Sequence, residues 1–167
     1  EPAPAATEEG ARQAALSTVV ASQRWLYLDD QQLAAEVRAL ATAGAAERLA
    51  REEVEEVGVA REALAKSPGR VWWLVRALAW RVDAFSPDEA QVSVWTLTVL
   101  SASDVAVPQS DWLTVTVELA WVDGRWLVDG IKDQPGPTPA TGMRDEPWQP
   151  EPFDDALAGF TRIDGAP

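Results

Sequence analysis

From Trp112 to Ile131 the chain alternates with a period of two. Leu113, Val115, Val117, Leu119 and Trp121 are apolar, and Thr114, Thr116 and Glu118 between them are polar. That spacing predicts a half-buried strand. Asp123-Gly124 then supplies the pair of positive-φ residues of a tight hairpin turn. Counting back from that turn, Val122 faces Arg125, Trp121 faces Trp126, Leu119 faces Val128 and Val117 faces Gly130. The apolar residues of both arms fall on one face, and two indoles meet across the strands.

Upstream of the hairpin the spacing changes from helical to strand-like. Residues 1–7 are rich in proline and alanine and read as a linker. Thr7, with Glu8 and Glu9 behind it, predicts a helix start. Its expected apolar side is Leu16, Val19, Val20, Leu26 and Tyr27. Asp29 or Asp30 can cap a second helix that buries Leu33, Val37 and Leu40. A third runs from about Ala45 to Lys66 with Leu49, Val54, Val57 and Leu64 inward. Its glutamates, Glu52, Glu53, Glu55 and Glu56, read as a solvated face. Ser67-Pro68-Gly69 ends the helical half.

Val71 to Phe85 opens with an unbroken apolar run, as in a strand buried on both faces at one end. Ala90 to Leu100 reads as a second strand. Its apolar positions switch parity between Val94 and Trp95, which predicts a bulge near Val94 or a change of buried face. Residues 101–110, with Pro108, read as a loop. Residues 133–167 carry too many prolines for a core element and form an extended tail. Within it, 153–160 can form one or two helical turns.

Helices followed by a β-meander predict an α+β domain over residues 8–132. Three N-terminal helices pack on one face of a curved, four-stranded antiparallel sheet, leaving a cone between them. Trp73, Trp95, Trp121 and Trp126 are assigned to its core or pocket. Trp148, Phe153 and Phe160 are large apolar residues in the tail and are candidate interaction anchors, docking on this domain or on a partner.

Composition narrows the chemistry. The net charge of −13 and the lack of a basic stripe exclude nucleic-acid binding, which needs one. Cysteine and histidine are both absent. Thiolate chemistry, the commonest general base and the commonest metal ligand go with them. No glycine loop, nucleophile elbow or metal-ligand spacing is present, so no catalytic residue, cofactor or metal is assigned. Among the carboxylates, Asp83, Glu118 and Asp129 are candidates for acid–base work. The hairpin register sets Glu118 opposite Asp129, where like charges repel. An arginine such as Arg76 or Arg81 must then sit between them, or a cation, or one of the two stays protonated.

The order helices, meander, then Leu119, Trp121, Asp123, Gly124 and Trp126, with Val94-Trp95 earlier, resembles the nuclear-transport-factor-like (cystatin-like) superfamily. The likeness covers roughly residues 8–133. Its enzymatic branch, the ketosteroid isomerases and polyketide cyclases, lines the cone with acids, tyrosines or histidines; the one tyrosine here is Tyr27. The tryptophan-rich strands and the Gly136-Pro137-Thr138-Pro139 exit are more similar to a second branch. That branch comprises the extracytoplasmic, TcpC-like assembly domains of type IV secretion and conjugation machines. The resemblance implies a non-catalytic, oligomeric scaffold that contacts other subunits of such a complex. It also implies a membrane tether by an anchor upstream of Glu1. A small-molecule carrier or enzyme using the cone is the alternative.

Overall fold

Thr7 caps the first helix, its Oγ1 accepting from Gly10 N at 3.1 Å. The computed structural model describes residues 6–65, 71–102, 106–139 and 158–162. Helix α1 spans Glu8–Ala21 and buries Ala11, Ala15, Thr18 and Val19. It ends sooner than its apolar spacing predicts, passing into a 3-10 turn at Ser22–Tyr27. Val20 and Tyr27 consequently stay exposed. Asp29 caps α2 (Asp30–Leu40) in a capping box with Gln32. Helix α3 spans Ala46–Leu64.

The strands are β1 (Val71–Phe85), β2 (Glu89–Ala102), β3 (Ala106–Val122), β4 (Arg125–Pro135) and a two-residue β5 (Thr161–Arg162). They form one antiparallel sheet in the order β4-β3-β2-β1-β5. The fold is α+β, with three helices on one face of a four-stranded meander. The segment read as a loop at 101–110 is strand on both sides of residues 103–105. Pro108 is tolerated there because no partner pairs with it: Gln109 faces Leu100 and Ala106 faces Ala102, and the ladder between them is irregular.

The parity switch in β2 has a different cause from either one expected. Pairing of β2 with β3 is continuous through Val94 and Trp95. Val92 to Thr96 are all buried because both faces of this central strand are covered. Val92, Val94, Thr96 and Thr98 face the helices. Trp95 faces outward and is covered by the chain leaving β4: its Nε1 donates to Pro137 O at 2.9 Å. Thr114 Oγ1 donates to Gly136 O at 2.8 Å, and Trp95 stacks on Trp112 at 4.9 Å. At the sheet's other edge β5 pairs with β1 at Ala79 and Trp80, and Arg81 lies over the ring of Phe160. The described ends of the tail therefore bind this domain. The bulges of this strand pair lie instead in β1, at Leu78 between Ala77 and Ala79 and at Asp83 between Val82 and Ala84.

The hairpin pairs as expected from Val122–Arg125 to Leu119–Val128. Beyond that a bulge at Asp129 shifts the ladder, and Glu118 faces Gly130 while Val117 faces Ile131. Glu118 and Asp129 are therefore not an opposed pair. Glu118 lies over Gly130, where a Cβ would meet its Oε2 at 2.5 Å, and reaches Lys132 at 2.5 Å. The cation beside it is this lysine; Arg81 bonds Asp83 at 2.6 Å, elsewhere on the sheet.

The expected helix at 153–160 falls largely outside the described residues, and its described end is a turn at Ala158-Gly159 leading into β5. Trp148 and Phe153 also lie outside them.

Candidate functional site

Between the helices and the inner face of the sheet lies a half-open cavity of about 260 Å³. Its floor is sheet: Trp73 and Val75 from β1, Thr96, Thr98 and Leu100 from β2, Leu113 and Val115 from β3, and Ile131 from β4. Its walls are Thr18 and Val19 of α1, Ser22, Trp25 and Leu26 of the 3-10 turn, and Val57, Ala60 and Leu64 of α3. Arg61 holds the turn to α3. Its guanidinium donates to the carbonyls of Trp25 at 3.1 Å, Leu26 at 3.2 Å and Leu28, and pairs with Asp30 at 2.5 Å. These bonds satisfy the carbonyls left open where the turn ends.

Most hydroxyls of the lining are committed to backbone. Thr18 donates to Ala14 O at 2.9 Å, Ser22 to Val19 O at 2.8 Å and Thr96 to Val94 O at 3.3 Å. Trp25 is 5% exposed, and among the described residues its indole N–H has no hydrogen-bond partner. The charged groups of the lining are all acidic: Glu53 and Glu56 from α3 and Asp133 from β4. Glu56 and Asp133 are exposed and Glu53 is half-buried, so the charge sits at the mouth. None of the three forms an ion pair among the described residues. Burial, then the negative charges of Glu56, Asp133 and Glu52, push the Glu53 carboxyl up to about 7. Burial and Asp133 also raise that of Glu56.

The Asp129 bulge is what puts Asp133 there. On β4, Trp126 and Val128 face the helices; after the extra residue, Ile131 and Asp133 do. A continuous ladder would have turned Gly130 and Lys132 inward instead. One inserted residue thus exchanges a lysine for an aspartate at the cavity mouth.

The residues singled out from the sequence are dispersed. Trp73 lines the cavity. Trp126 is buried in the core, and Trp121 packs on it edge-on at 5.2 Å. Trp95 lies on the opposite face of the sheet under Pro137. Phe160 sits beneath Arg81. Asp83 accepts from Ser93 Oγ at 2.5 Å and from Arg81. Tyr27 is outside the cavity, its hydroxyl accepting from Trp73 N at 2.9 Å. Of the glutamates expected on a solvated face, Glu52, Glu55 and Glu56 are exposed and Glu53 is half-buried; Glu53 and Glu56 border the cavity, as does Trp25, which the pattern did not single out. The only available signal was their spacing: Glu53, Glu56 and Ala60 lie three and four apart, on one side of α3.

The outer face of the sheet carries a second feature. Trp72, 58% exposed, and Leu74, 40% exposed, point outward at the start of β1. Half-buried Leu97, Val99 and Trp112 share that face.

Fold and cavity together define an α+β domain with a helix-covered sheet and an acidic-mouthed, apolar cleft. No family model matches the sequence, and no curated protein matches it. Among solved structures, the intermembrane space region of the chloroplast protein ARC6 is similar. The TM-score is 0.47 at 12% sequence identity, covering 75% of this chain and 97% of that one. Among the described residues no helix is long and apolar enough to cross a membrane.

Proposed function

We propose that this chain is a non-catalytic interaction domain of the nuclear-transport-factor-like kind. It acts as a scaffold in a conjugation or type IV secretion-like apparatus, outside the cytoplasmic membrane and tethered by an upstream anchor. The observation that carries the reading is the apolar outer face at Trp72 and Leu74, which lies in a chain of net charge −13. Contiguous exposed apolar surface of this kind marks contact sites, with tryptophan the strongest anchor. The partner is another folded subunit of the assembly, a second copy of the chain included. It docks on side chains rather than adding a strand, because the N–H groups of Trp73 and Val75 are bonded to Tyr27 and Gln23.

The test combines sedimentation velocity with element transfer from the host that encodes the chain. Trp72→Asp and Leu74→Asp are expected to abolish self-association and to lower transfer at least about tenfold, the loss expected of a hot-spot residue, at unchanged protein level. Wild-type transfer by both variants overturns the reading. A second reading, a small-molecule carrier, is favoured by the cavity alone.

A further inference from the structure

We infer that the cleft between α3 and the sheet binds a compact organic cation, an amine with an apolar body, its charge held at the mouth by Glu53, Glu56 and Asp133. This deepens the small-molecule-carrier reading and is independent of the outer-face contact.

The cleft has the two components such a ligand needs. Its interior is apolar and contains two indoles, Trp25 and Trp73, which offer large apolar area to the ligand's body. Trp25 is also buried, and its N–H has no hydrogen-bond partner among the described residues. Among the described residues the mouth holds three carboxylates and no lysine or arginine. Elsewhere on the helices Glu9, Glu36, Glu47 and Glu52 pair with arginines, and Glu8, Glu55 and Glu62, which form no ion pair among the described residues, are exposed to solvent. At the cleft the unpaired acids border apolar surface instead, and burial already makes the charged form of Glu53 costly. A cation entering the mouth relieves both costs.

The geometry distinguishes this from an inorganic ion. Among the described residues no group of three or more acidic, histidine or cysteine side chains is placed to hold a metal. The volume, about 260 Å³, is just below the usual range for drug-sized ligands and suits a small, compact molecule.

Three cage hydrocarbons of one shape test the inference: 1-adamantanamine, the neutral 1-adamantanemethanol and 1-adamantanecarboxylate. Binding to the whole chain is measured by calorimetry at about pH 8, where Glu53 is charged, and located by indole N–H chemical shifts. The amine is expected to bind at least about tenfold tighter than the carboxylate, a difference of one charge–charge contact, and to shift Trp25 and Trp73. Glu53→Gln combined with Glu56→Gln should erase the preference while leaving the alcohol bound. Ala60→Trp, which fills the cleft, should abolish binding of all three. Equal binding of amine and carboxylate overturns the cation inference and leaves the carrier reading standing. Failure of all three to bind, or shifts confined to other tryptophans, overturns both.

Discussion

The hydroxyl of Thr42 donates to the carboxylate of Asp129 at 2.6 Å, joining the α2–α3 turn to the bulge in β4. Thr42 N donates to Val128 O at 2.8 Å, and Arg48 donates to Asp129 O at 2.9 Å. The same hydroxyl accepts from Ala45 N at 3.2 Å at the start of α3. The residue that breaks the ladder is therefore the one that receives the helical layer. Thr42→Val and Asp129→Ala should each destabilise the fold by roughly 1–3 kcal/mol, the cost of a charge-assisted bond with a buried partner. The double variant should lose less than the sum, because the two residues share one contact. Urea unfolding of the four proteins measures this, and strict additivity would deny the coupling.

The extent to which this arrangement was legible depends on how local each determinant is. The turn at Asp123-Gly124 and the caps at Thr7 and Asp29 need only their neighbours, and each forms where the pattern places it. The bulge at Asp129 does not. Alternation alone favours continuing the ladder, and the side chains that make the shift favourable come from Thr42 and Arg48, more than eighty residues away in the chain. That single register error carried over to the site. It set Glu118 against Asp129 and hid the turn of Asp133 toward the helices. Glu53 was misread for a related reason. A run of glutamates on a helix looks solvated until the strand opposite is known, and the group opposite is Asp133. The doubled burial of β2 was likewise invisible, because Trp95 is covered by a chain segment some forty residues later.

That covering segment should matter to stability. Thr114→Val removes the bond to the Gly136 carbonyl and leaves a buried strand face without its polar tie. Trp95→Phe removes the bond to the Pro137 carbonyl while keeping most of the apolar area. Each should cost roughly 1–2 kcal/mol, with Trp95→Phe also losing the near-ultraviolet circular dichroism of the Trp95–Trp112 stack. Trp80→Phe is the control, since that indole sits on the helical side beside Arg12. A chain ended at Pro135 should show the combined loss. If its unfolding midpoint matched that of the full chain, the segment would be a passenger on the sheet.

The acidic mouth of the cleft makes a prediction about pH whose sign is opposite to the usual carboxylate. Glu53 titrates at about 7 in the folded chain, raised by burial and by Glu56, Asp133 and Glu52 around it. In the unfolded chain it titrates near its ordinary value of about 4.3. Between those limits the folded state holds more protons than the unfolded one, so stability falls as pH rises through the window. Above about pH 7 the full penalty is present, and below about pH 4 it is absent. Glu53→Gln removes the titration and should stabilise the fold at about pH 8 by roughly 1–3 kcal/mol, taking about 1.4 kcal/mol per pH unit as the ceiling. At about pH 4 the variant and the parent should unfold at nearly the same urea concentration, because the parent's carboxyl is then neutral in both states. A Glu53→Gln gain that stayed constant from pH 4 to pH 8 would mean that the side chain, not its charge, is what the cleft resists.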